Sequence, residues 1–264
     1  MVQEKQKISL VIPVRNDNYN GNFIERLNLF LESVDKSISY KKNICLETLL
    51  VDWNSDEPID KKIFLKKNNI NLKIIHCTKE LIDKYNLKGT KFNPSLATNV
   101  GIRRATNEYV CIINGDAFLK EDFFNKFLEV IHSYDQTDDK IFLIPRKFIP
   151  YSITECGFKF DKLKNYVTEN DLFLEMNNRM SNLVSGYGVI IAKKDIWENL
   201  SGLNEFIKGL GWGDIEFGLR ASKKYKLIDT QTSNLFIYDQ QQLKKVHINT
   251  NDYNHNHDGH DHTH

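Results

Sequence analysis

Residues Ile8–Val14, ISLVIPV, form an unbroken apolar run rich in β-branched side chains. Such a run reads as a strand covered on both faces, the habit of parallel sheets with helices above and below. The chain then repeats the theme. Phe23, Leu27, Phe30, Leu31 and Val34 are spaced to share one face of a helix. Leu46–Val51 is a second buried strand, ending at Asp52, and Leu72–His76 is a third. Ile59–Asn68 has helical spacing, and Pro94–Ala105 reads as a helix with Pro94 suited to its first turn. Tyr109–Ile113 is a fourth strand running into Asn114-Gly115-Asp116, and Glu121–Ser133 is another amphipathic helix. This β-α-β-α-β alternation predicts a doubly wound α/β sheet.

The second half is less regular. Ile141–Pro145 and Gly186–Ala192 read as strands, Glu169–Asn182 as a weak helix, and Ile215–Lys224 as a helix with Leu219 one turn on from Ile215. With no internal repeat and no Gly/Ser linker, one continuous domain is expected over residues 1–248. Residues 249–264 are polar and aperiodic, and are expected to be a disordered, His-rich tail. Its NHNHDGHDHTH ending is either a metal-chelating tail or an expression remnant.

A length of 264 residues allows one large α/β domain or two small ones. The 36 Lys and Arg residues against 35 Asp and Glu give a formal charge of +1, which argues against a general nucleic-acid binder. Cys45, Cys77, Cys111 and Cys156 form no C-x-x-C pair, and three of them sit in apolar runs. They are expected to be buried free thiols in a reducing compartment. The first seven residues are polar, unlike a signal peptide, and no run approaches the ~20 apolar residues of a membrane span. A cytoplasmic location is therefore expected, with no transmembrane segment.

In open α/β sheets, ligands bind beyond the carboxyl ends of strands, where the strand order reverses. Three predicted strands end in polar residues there: Arg15-Asn16-Asp17, Asp52-Trp53-Asn54-Ser55 and Asn114-Gly115-Asp116. Helix capping or turn formation accounts for any one of them. Three together, after the first, second and fourth strands, point to a site.

In order and spacing, ISLVIPVRND, LLVDWNS and NVGIRRATNEYVCIINGDAF resemble the nucleotide-sugar half of family 2 glycosyltransferases. The later GLNEFIKGLGWGDIEFGLR resembles the acceptor-side motif of the β-1,4-galactosyltransferase and chondroitin-polymerase types. The likeness runs over about residues 8–248. It implies a GT-A fold: a Rossmann-like nucleotide half over about residues 1–116 joined to an acceptor half over 117–248, around one mixed sheet.

The resemblance also implies roles. Pro13 and Arg15 would line the base pocket, with Asp17 and Asn99 in the same nucleotide-sugar set, and Asp52 would accept from a uracil. Asn114-Gly115-Asp116 stands at the D-x-D motif, with Asn114 in place of the first acid. An amide bonds a ribose hydroxyl but adds no negative charge. Asp116 and the late His247 would hold Mn2+ or Mg2+, and Gly186 would lie near the donor sugar. Asp214 or Glu216 would be the general base, Asp214 the preferred one, while on the acceptor side Trp212 would stack on a sugar face and Gly213 would let the backbone approach closely. Glu216 stands four residues before Arg220, so an i,i+4 ion pair is its other reading. The implied reaction is inverting transfer from a UDP-sugar to a hydroxyl acceptor. Two rivals stand beside it: a non-catalytic nucleotide-sugar or glycan-binding module, and a nucleotidyltransferase. The second would need a Gly- and Lys-rich phosphate loop after the first strand, which VRNDNY lacks.

Overall fold

The first apolar run is an interior strand of the parallel half of the sheet. The structure, a computed structural model, describes residues 5–17, 21–39, 43–63, 69–85, 92–134, 139–154, 157, 159–174, 187–207 and 213–240. Strand β1 (Gln6–Val14) is buried from Ile8 to Ile12 and lies parallel between β2 (Ile44–Asp52) and β4 (Tyr109–Ile113). Strand β3 (Asn71–His76) continues the parallel run beyond β2. On the far side of β4 the sheet turns antiparallel, through β7 (Tyr187–Lys193) and then β6 (Lys140–Ile149). The long β6 carries β8 (Lys226–Asp229) along its first half and β9 (Ile237–Gln240) along its second, both parallel to it. Strand β5 (Ala117–Phe118) closes the edge, antiparallel to β9. Among the described residues the main path of this mixed sheet is β3-β2-β1-β4-β7-β6-β9-β5.

Helices cover both faces. On one, α1 (Phe23–Ser39) and α4 (Phe123–Ser133) pack Phe30, Leu31, Phe124 and Phe127 over Ile8, Leu10 and Ile12. On the other, α3 (Pro94–Arg104), α7 (Lys194–Asn199) and α8 (Gly213–Ala221) pack Val100, Trp197 and Phe217 over Val11, Leu49 and Val51, joined by Ile82 of α2 (Lys79–Tyr85). Trp197 stacks on Phe217 with centroids 4.6 Å apart, and its Nε1 donates to Val110 O at 3.1 Å. A third cluster joins α6 (Phe160–Asn170), which follows the short α5 (Tyr151–Thr154), to Phe118, Ile149 and Tyr238 at the β5–β9 edge. Helix α3 sits unusually close to the sheet. A Cβ on Gly101 would fall 2.3 Å from Val11 Cγ1, so only glycine lets the helix approach that far.

Several element boundaries differ from the sequence reading. The helix expected from Ile59 is a single 3-10 turn, Ile59–Lys62, with Ile63 already extended; residues 64–68 lie outside the described set. The strand expected to stop at Pro145 runs on to Ile149, and a register shift at Ile144/Pro145 absorbs the missing N–H. The weak helix expected over Glu169–Asn182 is displaced: α6 ends at Asn170 and a 3-10 turn covers Asp171–Phe173, while residues 175–182 lie outside the description. Helix α8 begins two residues early, at Gly213, and buries Phe217, Gly218 and Ala221. Leu219, expected on the apolar face with Ile215, is 49% exposed. Of the cysteines, Cys111 is buried and Cys77 partly so, but Cys45 is exposed on β2. Its neighbours Leu46 and Ile44 face inward, and strand alternation turns it outward. Cys156 lies outside the described residues.

Candidate nucleotide-sugar site

The strand order reverses between β1 and β4, and the polar strand ends gather there. The register sets Val14, Asp52 and His76 side by side at the ends of β1, β2 and β3. Asp52 is 4% exposed. It accepts from Ser55 Oγ, its Oδ2 lies 3.1 Å from His76 Nδ1, and the Ile59 N–H points at it from 3.5 Å. Asn54 takes φ 53°, the left-handed turn that lets the chain fold back over the Asp52 carboxylate. Pro13 is part of β1, opposite Val51. Arg15 is buried; its Nη1 donates to Asn54 O and, at 3.5 Å, to Trp53 O, while its Nε lies 3.2 Å from Asp17 Oδ2. Arg15, and Asn16 through its N–H to Ser55 Oγ at 2.7 Å, thus tie the loop after β1 to the loop after β2.

The Asn114-Gly115-Asp116 turn follows β4. A Cβ on Gly115 would stand 3.0 Å from Val14 Cγ1, which places the turn against the end of β1. Asp116 Oδ2 accepts from Arg26 Nη1 at 2.9 Å, and Arg26 is 2% exposed on α1. Beside them, Asp239 of β9 accepts from Arg146 Nη1 of β6 at 2.9 Å. Gln240 ties the pairs together: its backbone N donates to Asp116 O at 3.3 Å, and its Nε2 to Ala117 O at 3.1 Å and Arg26 O at 3.3 Å. Burial, helped by the negative charge of Asp116, pushes the Asp239 carboxyl up to about 6, against the pull of Arg146. Asp239 Oδ1, Arg146 Nε and Gln240 Oε1 are buried without a hydrogen-bond partner among the described residues. Buried polar atoms are rarely left so, and a cluster of them marks a place where something else binds. No three His, Cys, Asp or Glu side chains gather as a ligand set among the described residues.

Asp214 lies in the first turn of α8, partly buried, with Oδ1 accepting from Ile215 N at 3.0 Å. Burial raises its pKa, and the charge of Arg146 draws it back. Arg146 thus pairs with Asp239, and its charge is also felt at Asp214. Glu216 points elsewhere, paired with Arg220 Nε and with Nη2 at 2.9 Å. Gly213 rests on α3, where a Cβ would meet Ser95 Oγ at 2.8 Å. Asn99, expected in the nucleotide-sugar set, lies within α3, is 2% exposed and bonds Leu203 and Glu205. Gly186, Trp212 and His247 lie outside the described residues.

Arg26, Arg146, Asp239 and Gln240 were not singled out from the sequence. Arg26 did carry a signal, standing on the same helix face as Phe23 and Phe30, where a lone charge needs a buried partner. Asp239 carried none, because its partners come from strands more than ninety positions away.

A parallel sheet that turns antiparallel after its switch point, with acids at the strand ends beside that point, is the GT-A fold. The chain belongs to the glycosyltransferase-like family 2, whose profile matches residues 9–254. No curated protein matches it. Among solved structures, residues 1–349 of S. aureus TarS in complex with UDP-GlcNAc share 14% identity, at a TM-score of 0.59, over 91% of this chain and 60% of that one. A mannosyltransferase from Pyrobaculum calidifontis in complex with GDP-Man and Mn2+ shares 16% identity, at a TM-score of 0.55, over 92% of this chain and 59% of that one. The chain thus spans about 60% of the length of these relatives. No helix among the described residues is long and apolar enough to cross a membrane.

Proposed function

We propose that the chain transfers a sugar from a UDP-sugar to a hydroxyl acceptor with inversion, with Asp214 as the general base. What supports this reading is the set of carboxylates around the switch point: Asp52 and Asp116 beyond the ends of β2 and β4, Asp239 on β9 near Asp116, and Asp214 at the start of α8, within the field of Arg146. The uracil would lie between the loops after β1 and β2, with Asp52 as acceptor. Asn114 would bond a ribose hydroxyl. A base facing the donor suits in-line attack, in which the acceptor oxygen arrives opposite the leaving diphosphate. Burial, which raises the Asp214 carboxyl, makes it a better proton acceptor from a hydroxyl than an ordinary aspartate.

The residues present fit a hard divalent cation. Asp239 Oδ1 is buried without a hydrogen-bond partner among the described residues and lies within the field of Asp116, and carboxylate oxygens are the donors that Mg2+ and Mn2+ take. Asp116 and Asp239 would hold it, with His247 as the ligand that the family likeness adds. When bound, the cation neutralises charge building on the leaving diphosphate. Two carboxylates are few ligands, so the cation is expected to bind well only with nucleotide.

A second reading, a binding module without turnover, draws on the Arg26–Asp116 pair and on Asn114, which both lower the negative charge at the metal corner. One experiment separates the two. The chain, with residues 249–264 removed so that their histidines bind no metal, is titrated calorimetrically with UDP, GDP and ADP in Mn2+, and UDP release from a UDP-sugar panel is followed. Tighter binding of UDP with EDTA-sensitive release supports the transferase. UDP binding without release supports the module, and equal affinity for all three nucleotides removes Asp52 as the base reader.

A further inference from the structure

We propose that Asn99 and Arg220 are positioning residues that clamp the chain between α7 and α8, and so fix where Asp214 meets the acceptor. The inference rests on the glycosyl-transfer reading of the site. After α7 the chain reverses through Ser201 and Gly202, both left-handed at φ 56° and 66°, and Gly202 N donates to Trp197 O at 2.8 Å. The turn then lies along α3. Asn99 Nδ2 donates to Leu203 O at 2.8 Å while Leu203 N donates to Asn99 Oδ1 at 2.8 Å, the reciprocal pair that one strand makes with another. Nδ2 also donates to Glu205 Oε1 at 2.9 Å, which Arg103 Nη1 holds from the same helix at 3.0 Å.

Both amide donors of Asn99 are thereby engaged within the chain, and the side chain is 2% exposed. A Cβ on Gly202 would fall 2.3 Å from Asn99 Oδ1, so the fit excludes any other residue there. Ser95 stands one turn before Asn99 on α3, and Gly213 rests on it. Leu203 and Gly213 therefore both rest on one helix. Arg220 ties the turn from the other side: its guanidinium donates to Leu200 O, to Gly202 O at 2.8 Å and to Glu216. Asp214 follows directly on Gly213. A base must be held to a fraction of an ångström, since a misplacement of about 1 Å costs on the order of 10²-fold in rate.

The test uses the full chain with Asn99→Ala and, as a milder second variant, Arg220→Lys, which keeps the charge but loses the fork. Three quantities are measured: hydrogen exchange of the amides in 200–207 and 213–221, UDP affinity, and kcat and KM for the acceptor. The expected result is faster exchange confined to those two stretches, unchanged UDP affinity, a higher acceptor KM, and a kcat lower by roughly 10- to 100-fold. Weakened UDP binding in Asn99→Ala would return Asn99 to the nucleotide site and overturn the proposal. Exchange that rises equally across the whole sheet would overturn it too, since that marks a general loss of stability. Wild-type chain that binds no UDP would instead overturn the glycosyl-transfer reading, while the exchange result still decides whether Asn99 and Arg220 hold the turn.

Discussion

Asp116 serves two purposes that a substitution cannot separate. It is a candidate metal ligand, and it is also the partner that makes a buried Arg26 tolerable. Removing one member of a buried pair strands the other charge, which typically costs about 3–5 kcal/mol. Asp116→Ala is therefore expected to lower the urea midpoint of unfolding, and the double variant Arg26→Met/Asp116→Ala to recover much of that loss. Loss of activity in Asp116→Ala alone would report folding as much as chemistry. Asp116→Asn, which keeps an acceptor for Arg26, is the better probe of metal binding. Asp214 presents no such conflict, because its only described bond is to the helix backbone beside it. Asp214→Asn is expected to lower kcat by roughly 10²–10⁴-fold while UDP affinity holds, the cost of losing a positioned base. It should also remove the acidic limb of the kcat–pH profile, which in the wild type lies above the ordinary aspartate range because burial raises Asp214. Glu216→Gln should instead loosen α8, since Glu216 is bound to Arg220. Full loss of turnover in a folded Glu216→Gln, with Asp214→Asn still active, would reverse the two roles.

At the scale of elements, α3 carries more of the site than its sequence suggests. Its first turn is capped by Asn93, whose Oδ1 accepts from Leu96 N at 3.0 Å, and Gly101 lets it press onto β1. From that fixed position it supports both Leu203 and Gly213. Gly101→Ala would drive a methyl into Val11, and overpacking of this kind costs about 1–3 kcal/mol. A lower melting temperature is expected, with a drop in acceptor turnover larger than the drop in UDP affinity, since Gly213, next to Asp214, rests on the helix. An unchanged melting temperature would mean that α3 has room to retreat.

Across the whole molecule, one acid binds the α6 layer to the sheet edge. Asp171 accepts from Lys120 Nζ at 2.7 Å, Lys147 Nζ at 2.8 Å and Tyr238 Oη at 2.7 Å, groups that come from three separate parts of the chain. Burial alone would raise its carboxyl, but these bonds outweigh it and bring the pKa down to about 2. A carboxyl depressed on folding adds stability above its unfolded value near 4 and loses it as pH falls toward the folded value. Asp171→Asn is thus expected to be less stable than wild type at pH 7, with the gap closing between about pH 4 and pH 2. A gap independent of pH would show that the charge of Asp171 contributes nothing. Because Tyr238 is next to Asp239, this anchor also holds the strand that carries Asp239.

Much of the parallel half was legible from residues alone. ISLVIPV, LLV and YVCII are apolar but for Ser9, so burial on both faces, and hence a parallel sheet, is suggested by composition over a few positions. The placement of Asp52 and Asp116 at strand ends was legible because a strand's end is a local event, and the first residues beyond it are placed by the strand. The antiparallel half was not legible in the same way. Its strands β8 and β9 are four residues each, too short for periodicity, and they exist because β6 offers them an edge. Asn99 shows the limit most clearly. An amide on a helix near a nucleotide motif is compatible with sugar binding, and only its distance to Leu203, 104 positions away, shows where its bonds go. Likewise Arg26, Arg146 and Asp239 acquire meaning as a charge network only when α1, β6 and β9 are brought together. Local pattern decides which segments bury and where they stop. The partners of a buried charge are decided by long-range packing, because their mutual energy depends on distances in space that the order of residues does not contain.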